Sequence, residues 1–278
     1  MPPLQRPLSL GLLAVAAGLI AAAGVAAIWA QRPPAEVRTL EAVLRRLSQG
    51  NDLGREPIAF MVVTGTYTSA LAEQRGLCKP DQCDMFAQLN PYRHYGNGWD
   101  ELIRQGYALG DIQGWSASSG TVMIPRATFR AYGSHSGYLA CTVAHEIAHI
   151  RRHHIFEQNY HVNHKLRGQG EQARKLGEMK RSRELELEAD RDAATMLARA
   201  GYRGRVCQQD LEFMARSIGD GSITEAESTH PGYEERLAAM RAHYDAIEKN
   251  PPAAAASTLA SYRFDRAENL LTLTPQRR

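Results

Sequence analysis

The pentapeptide His145-Glu-Ile-Ala-His149 lies inside an apolar stretch, residues 137–150. Residues four apart share one face of a helix, so the two imidazoles can bind one tetrahedral Zn²⁺. Glu146 then lies beside the attacking water and can take its proton. The alternative is a helix that carries these residues by chance, since the chain has 10 histidines. The pentapeptide predicts a zinc hydrolase with Glu146 as general base. The rest of the chain decides between this prediction and chance occurrence.

The N-terminal segment has no charged residue between Arg6 and Arg32, and residues 8–30 are almost wholly apolar. A helix of this length would measure about 34 Å, enough to cross a bilayer core. We favour a retained membrane anchor over a cleaved secretory signal. We therefore expect a bacterial inner-membrane protein with its catalytic domain in the periplasm, or a periplasmic protein if the segment is cleaved.

The near balance of charge argues against a polyanionic partner, because the chain has 33 basic and 30 acidic side chains. We therefore expect no nucleic-acid binding. Basic residues are concentrated after the pentapeptide, and we interpret them as a solvated helical face rather than a lipid or nucleic-acid surface. They are Arg151, Arg152, Lys165, Arg167, Arg174, Lys175, Lys180, Arg181 and Arg183.

No two of the four cysteines have the spacing of a zinc knuckle, so a structural zinc site is not favoured. Cys78 and Cys83 flank a turn-like loop and could form a disulfide in an oxidising compartment. Cys141 lies one helical turn before His145, and we expect it to pack in the core.

Hydrophobic periodicity and turn residues predict a mainly helical α+β chain. We expect an anchor and linker over residues 1–34, a protease domain over 35–250 and a tail over 251–278, with a hairpin at 261–274. Residues 159–180 are expected to be mobile, and 73–97 irregular. Strands are predicted at 57–66 and 121–124. Helices are predicted at 35–48, 99–107, 126–132, 136–158, 183–200, 205–218 and 232–249.

A zinc site needs a third protein ligand. The metzincin pattern would place a glycine and a histidine where Arg152 and Ile155 stand, so that class is excluded. A glutamate from a later helix is the remaining solution, commonly with an aspartate one turn on that orients a histidine ligand. The predicted helix over 183–200 carries two acidic pairs with the same spacing, Glu186 with Asp190 and Glu188 with Asp192. Spacing alone leaves the choice open, and a solvated acidic face paired with arginines is the alternative.

The two motifs together, HEIAH and then ELEAD, resemble those of the gluzincin peptidases that include HtpX, BepA, the mitochondrial Oma-type proteases and the CAAX prenyl endopeptidases. The resemblance covers residues 36–245. It implies that Glu186 is the third ligand, that Asp190 orients a histidine ligand, and that Glu188 is a surface residue. It also implies one Zn²⁺ per chain and a zincin-like domain whose small sheet has an edge strand along the active site.

Two further segments resemble the same family. Residues 112–122 look like its active-site edge strand, although Gly114-Trp115 stands where Asn-Ala-Phe often begins. This similarity implies substrate binding by Trp115, Ser118, Gly120 and Val122.

Residues 228–231 and Arg236 resemble the family's Thr-His-Pro segment and following arginine. The similarity implies catalytic roles for His230 and Arg236, while a surface or helix-capping role for His230 is the alternative. Four other histidines match no ligand position and are interpreted as surface residues: His153, His154, His161 and His164.

The resemblance implies a zinc-dependent metalloendopeptidase that hydrolyses unfolded or misassembled envelope proteins in quality control. CAAX prenyl proteolysis is disfavoured, because those enzymes have many membrane spans and this chain has one apolar segment. Two other classes stay open. One is an inactive zincin acting as a chaperone, and the other is a membrane-tethered assembly factor that docks through residues 251–278. The physiological substrate and the oligomeric state stay open as well.

Overall fold

A computed structural model describes residues 32–218, 221–253 and 255–276. From Glu36 onward these residues belong to one compact unit. The apolar segment at 8–30 lies outside the described residues. Within the described ranges, no helix has the length and apolar character needed to cross a bilayer.

The prediction of a mainly helical α+β fold with a small sheet is confirmed. The helices are α1 (Ala35–Gly50), α2 (Thr66–Gln74), α3 (Trp99–Leu109), α4 (Arg126–Tyr132), α5 (Ser136–Arg151), α6 (His154–Tyr160), α7 (Glu171–Arg199), α8 (Val206–Ile218) and α9 (Tyr233–Lys249). A 3₁₀ segment spans Pro80–Gln88, and a π-helical turn spans His161–Lys165. The strands are β1 (Ile58–Val63), β2 (Trp115–Ala117), β3 (Thr121–Pro125), β4 (Ala260–Asp265) and β5 (Leu270–Pro275).

The five strands form one mixed sheet in the order β2-β3-β1-β5-β4. Central β1 pairs in parallel with β3, where Phe60 lies beside Val122, and antiparallel with β5, where Phe60 lies beside Leu271. All three side chains are buried. Among the strands of the described residues, β2 pairs only with β3, so it forms one edge of the sheet.

The C-terminal hairpin forms, but it is not a separate tail. Strand β5 pairs with β1, and its Leu271 and Leu273 belong to the main core. The Asn269 side-chain amide donates to the Val62 carbonyl at 2.7 Å. The predicted boundary after residue 250 is therefore wrong, because the hairpin supplies two strands of the protease domain's own sheet.

Helices α5 and α7 pack against each other in the core. Buried alanines on both helices, Ala144 and Ala148 on α5 and Ala189 and Ala193 on α7, present little side-chain bulk and permit close approach of the backbones. This packing brings the pentapeptide and the acidic motif together.

Two helix boundaries differ by more than two residues from those predicted. Helix α5 ends at Arg151 rather than 158, because His153 has a left-handed φ of 55° that interrupts the helix. Helix α7 begins at Glu171, within the stretch expected to be mobile. Helix α7 continues through Gly177, where a Cβ would lie only 2.9 Å from Leu166 Cδ2, so the glycine leaves room for Leu166 to pack. The stretch expected to be irregular also contains ordered structure, the end of α2 and the 3₁₀ segment.

Both disulfides join cysteines in the described region. Cys78 and Cys83 are bonded, as the sequence predicted. Cys141 is buried, as expected, but it is also bonded to Cys207, with 5.5 Å between the Cα atoms. This second bond links α5 to α8 one turn before His145. Sequence reasoning missed it because the two cysteines are 66 residues apart.

Candidate metal site

Three potential metal ligands converge where α5 faces α7. His145 and His149 project from one face of α5, and Glu186 projects from α7. Their ligand atoms all lie within 4.8 Å of one another. The two imidazole Nε2 atoms are 3.0 Å apart. Glu186 Oε2 lies 3.2 Å from His145 Nε2, and its Oε1 lies 3.4 Å from His149 Nε2. This donor set forms a possible metal site.

The opposite side of His145 is held by two more residues. His145 Nδ1 lies 3.0 Å from Asp190 Oδ1. Arg236 donates two hydrogen bonds to that carboxylate, at 2.7 and 2.8 Å. When His145 is neutral, donation by its Nδ1–H to Asp190 places the lone pair on Nε2, the atom that faces Glu186 and His149. Asp190 therefore contacts the side of His145 opposite Glu186 and His149.

Burial and mutual charge shape the protonation of this group. Burial lowers the pKa of His145, but hydrogen bonds to Asp190 and Glu186 outweigh it and raise that pKa to about 10. Burial and the charge on His145 lower the pKa of His149 to about 3. Burial raises the pKa of Glu186, but His145 outweighs it, and that pKa falls to about 2. Burial raises the pKa of Asp190, but the Arg236 guanidinium outweighs this effect and holds that pKa far below its usual range.

Glu146 is buried beside the ligand set. Burial is the main reason that the pKa of its carboxyl rises to about 7, and the charge on His145 and a hydrogen bond from the Ser116 side chain oppose the rise. Gly114 allows this approach of the edge-strand segment. A Cβ at Gly114 would lie 2.9 Å from Thr142 Cγ2 and 3.3 Å from Glu146 Oε1. The glycine that departs from the family pattern is thus required by the packing here.

A cavity of about 1130 Å³ opens in front of these residues. The ligand set, the edge-strand segment and the loop before α9 line it. Trp115 and Ser116 face the cavity, in line with the substrate-binding role predicted for Trp115. Val122 does not face it. Its side chain is fully buried on β3, which is paired on both sides, so the prediction of substrate contact by Val122 is wrong.

The other two residues predicted in this segment form the turn between β2 and β3. Neither Ser118 nor Gly120 is among the residues that line the cavity. Gly120 has a φ of 79°, which a turn requires, and its carbonyl accepts a hydrogen bond from the Ala59 amide. The part of this segment that lines the cavity is therefore shorter than the sequence predicted and consists of residues 112–116, ending before the turn.

His230 lies beside the ligand set. Its Nε2 is 3.6 Å from Glu186 Oε2, and the side chain is 61% exposed. Arg236 also lines the cavity, but its hydrogen bonds are to Asp190, so it supports His145 through that carboxylate.

Arg183 was interpreted as part of a solvated basic face. Instead it donates to the backbone carbonyls of Ala226 and Ser228 in the loop that carries His230.

His154 was interpreted as a surface residue, and that prediction is wrong. It is 3% exposed, and its Nδ1 lies 2.9 Å from Nδ1 of His149. The other three histidines of that group are at least partly exposed. A left-handed His153 turns the chain so that His154 folds back under α5. No spacing rule in the sequence indicates this reversal.

Comparison with known proteins gives one finding. No curated protein and no solved structure matches the chain. Residues 165–244 match a family model described as Peptidase family M48. The matched region begins after the pentapeptide and contains Glu186, Asp190, His230 and Arg236. Together with the geometry at His145 and His149, this match supports a metallopeptidase of the zincin type.

Proposed function

We propose that this chain is a zinc-dependent metalloendopeptidase that hydrolyses unfolded or misassembled envelope proteins in quality control. The observation that carries the proposal is the convergence of His145, His149 and Glu186, with the Glu146 carboxylate beside them. The family match over residues 165–244 supports peptide-bond hydrolysis as the reaction.

The donor set fits zinc. Two nitrogens bound to one tetrahedral Zn²⁺ at ordinary lengths lie about 3.3 Å apart. Here the two imidazole Nε2 atoms are 3.0 Å apart, and each lies 3.2 or 3.4 Å from one of the two Glu186 carboxylate oxygens. Two imidazoles and one carboxylate leave one coordination position open, as in catalytic rather than structural zinc sites.

Each residue then has a defined role. A bound Zn²⁺ supplies Lewis-acid polarisation of the scissile carbonyl and lowers the pKa of water. Glu146 takes the proton of the attacking water and returns it to the leaving amine. Burial raises the pKa of this carboxyl, which favours a group that both takes and returns a proton. Asp190 and Arg236 orient His145, and His230 approaches the reacting centre from the solvent side.

The edge strand supports polypeptide substrates. Strand β2 is paired on one side only and faces the cavity. An extended peptide can add to such an edge through main-chain hydrogen bonds, which give broad specificity. Trp115 and Ser116 would contact the substrate there.

We propose that the enzyme acts in the bacterial envelope, anchored by residues 8–30 with its catalytic domain in the periplasm, or free in the periplasm if the segment is cleaved. Two disulfides support an oxidising compartment. The near balance of charge supports protein rather than nucleic-acid partners.

Proteolysis of casein by purified wild-type and variant protein tests the function. Glu146→Gln should retain zinc and lose at least a thousandfold in turnover, while Glu186→Ala should lose both zinc and turnover. Glu184→Gln, an exposed residue of α7, is the matched control. Full proteolysis by zinc-loaded Glu146→Gln would overturn the mechanism. Wild type that binds zinc and suppresses aggregation without cleaving casein would instead identify a chaperone.

A further inference from the structure

The side of His149 that faces away from Glu186 contacts a residue to which the mechanism above gives no role. His149 Nδ1 lies 2.9 Å from His154 Nδ1, and the two rings meet edge to face with 4.8 Å between their centroids. His154 is buried. This contact occupies the place on His149 that Asp190 occupies on His145.

The chemistry of a metal-bound imidazole fixes the direction of this hydrogen bond. If His149 Nε2 binds the metal, His149 is neutral and its proton is on Nδ1. His149 is then the donor, so His154 Nδ1 must be the acceptor. The proton of His154 is consequently on its Nε2.

A nearby carboxylate favours a proton on His154 Nε2. The atom is buried, and it has no hydrogen-bond partner in the described part of the chain. Glu188 Oε2 lies 3.8 Å away, too long for a hydrogen bond but close enough for electrostatic attraction. The carboxylate therefore favours the tautomer that the contact with His149 requires.

Glu188 is itself held by charge. Arg152 Nη1 lies 3.1 Å from Glu188 Oε1. Arg152 also donates two hydrogen bonds to Asp192, at 2.7 and 3.0 Å. Both members of the second acidic pair of α7, which spacing could not distinguish from the first, thus contact Arg152, and Glu188 also lies near His154.

We propose that His154 is a positioning residue for the metal site. It accepts the Nδ1–H of His149 and thereby directs the Nε2 lone pair of His149 at the metal, with Glu188 and Arg152 fixing its tautomer. This inference rests on the proposed function, because it presumes that His149 binds the metal. Each histidine ligand then has its own support, Asp190 with Arg236 for His145 and His154 with Glu188 for His149.

Zinc affinity, measured by chelator competition, tests the proposal independently of proteolysis. His154→Leu introduces a side chain of similar size that has no hydrogen-bond acceptor, and it should weaken zinc binding about 10- to 100-fold. His154→Asn places an amide oxygen near the original Nδ1, and it should bind within about threefold of wild type. His164→Leu, an exposed histidine nearby, is the control and should bind like wild type. Thermal unfolding of the metal-free proteins checks that each variant folds.

The tautomers can be observed in the wild type, so the proposal does not depend on how a variant folds. Long-range ¹H–¹⁵N spectra of the zinc-loaded protein should show His149 protonated on Nδ1 and His154 protonated on Nε2. A His154 protonated on Nδ1, or His154→Leu with wild-type zinc affinity, would overturn this inference alone. A wild-type chain that binds no zinc would overturn the proposed function and this inference with it.

Discussion

Arg183 donates from Nη1 to the Ser228 carbonyl at 2.8 Å, two residues before His230. The same nitrogen lies 2.9 Å from the Ala226 carbonyl. Arg183 precedes Glu186 by one helical turn on α7. The helix that carries Glu186 therefore also holds the loop that carries His230.

Arg183→Met should lower kcat/KM roughly tenfold, because His230 loses its fixed position and small displacements of active-site groups are costly. Zinc affinity should stay within about twofold of wild type, since none of the ligands contacts Arg183. Casein hydrolysis and chelator competition measure the two quantities. Lys180→Met, an exposed residue of α7, is the control, and equal kcat/KM in both variants would contradict the loop's role.

Arg236→Leu should weaken zinc binding about 10- to 100-fold, because Asp190 loses the partner that fixes its orientation toward His145. It should also lower the free energy of unfolding by about 3–5 kcal/mol, since the buried Asp190 carboxylate loses its guanidinium partner and keeps only His145. Arg236→Lys should restore binding only in part, because an ammonium cannot reproduce the paired hydrogen bonds. Chelator competition and urea unfolding test this, with the exposed Arg241→Leu of α9 as control. Unchanged zinc affinity in Arg236→Leu would exclude the supporting role.

Leu273→Ala should lower the free energy of unfolding by about 2–5 kcal/mol, because Leu273 is fully buried on β5 beside β1. Thr274→Ala, its exposed neighbour, should change stability by less than about 0.5 kcal/mol. Urea denaturation of both variants gives the comparison. If the hairpin were a docking tail, the two substitutions would have equally small effects, and removal of residues 251–278 would leave a stable enzyme.

Asp210→Asn should change how stability depends on pH. Asp210 is buried near Tyr132, its Oδ1 has no partner among the described residues, and burial raises the pKa of its carboxyl to about 8. The stability that this group contributes is present below its unfolded pKa and is lost as pH rises toward the folded value. Between about pH 4 and 8 the variant should therefore gain stability relative to wild type as pH rises.

The gain should reach a few kcal/mol near pH 8, at about 1.4 kcal/mol per unit of pKa difference. Thermal unfolding at several pH values measures it, with the exposed Asp81→Asn as control. A stability difference between Asp210→Asn and wild type that does not vary with pH would show that Asp210 is ionised throughout this range.

The two histidines of the candidate metal site could be predicted from the sequence because their shared helix face depends only on local spacing. Two histidines four residues apart on a helix share a face wherever that helix lies. The buried strand at β1 and the helix α4 followed from the same local patterns. The choice between Glu186 and Glu188 did not, since both have a partner four residues on, and only the family resemblance favoured Glu186.

The tertiary structure decided what each neighbouring residue contacts. It buried Val122 and His154, attached the C-terminal hairpin to β1, and joined Cys141 to Cys207. These outcomes depend on chain reversals, such as the left-handed turn at His153, and on pairings between residues far apart in sequence. The sequence by itself determined which side chains could bind a metal, because ligand chemistry and helical spacing are local. Only the fold determined which groups orient those ligands, because that depends on how α5 and α7 pack.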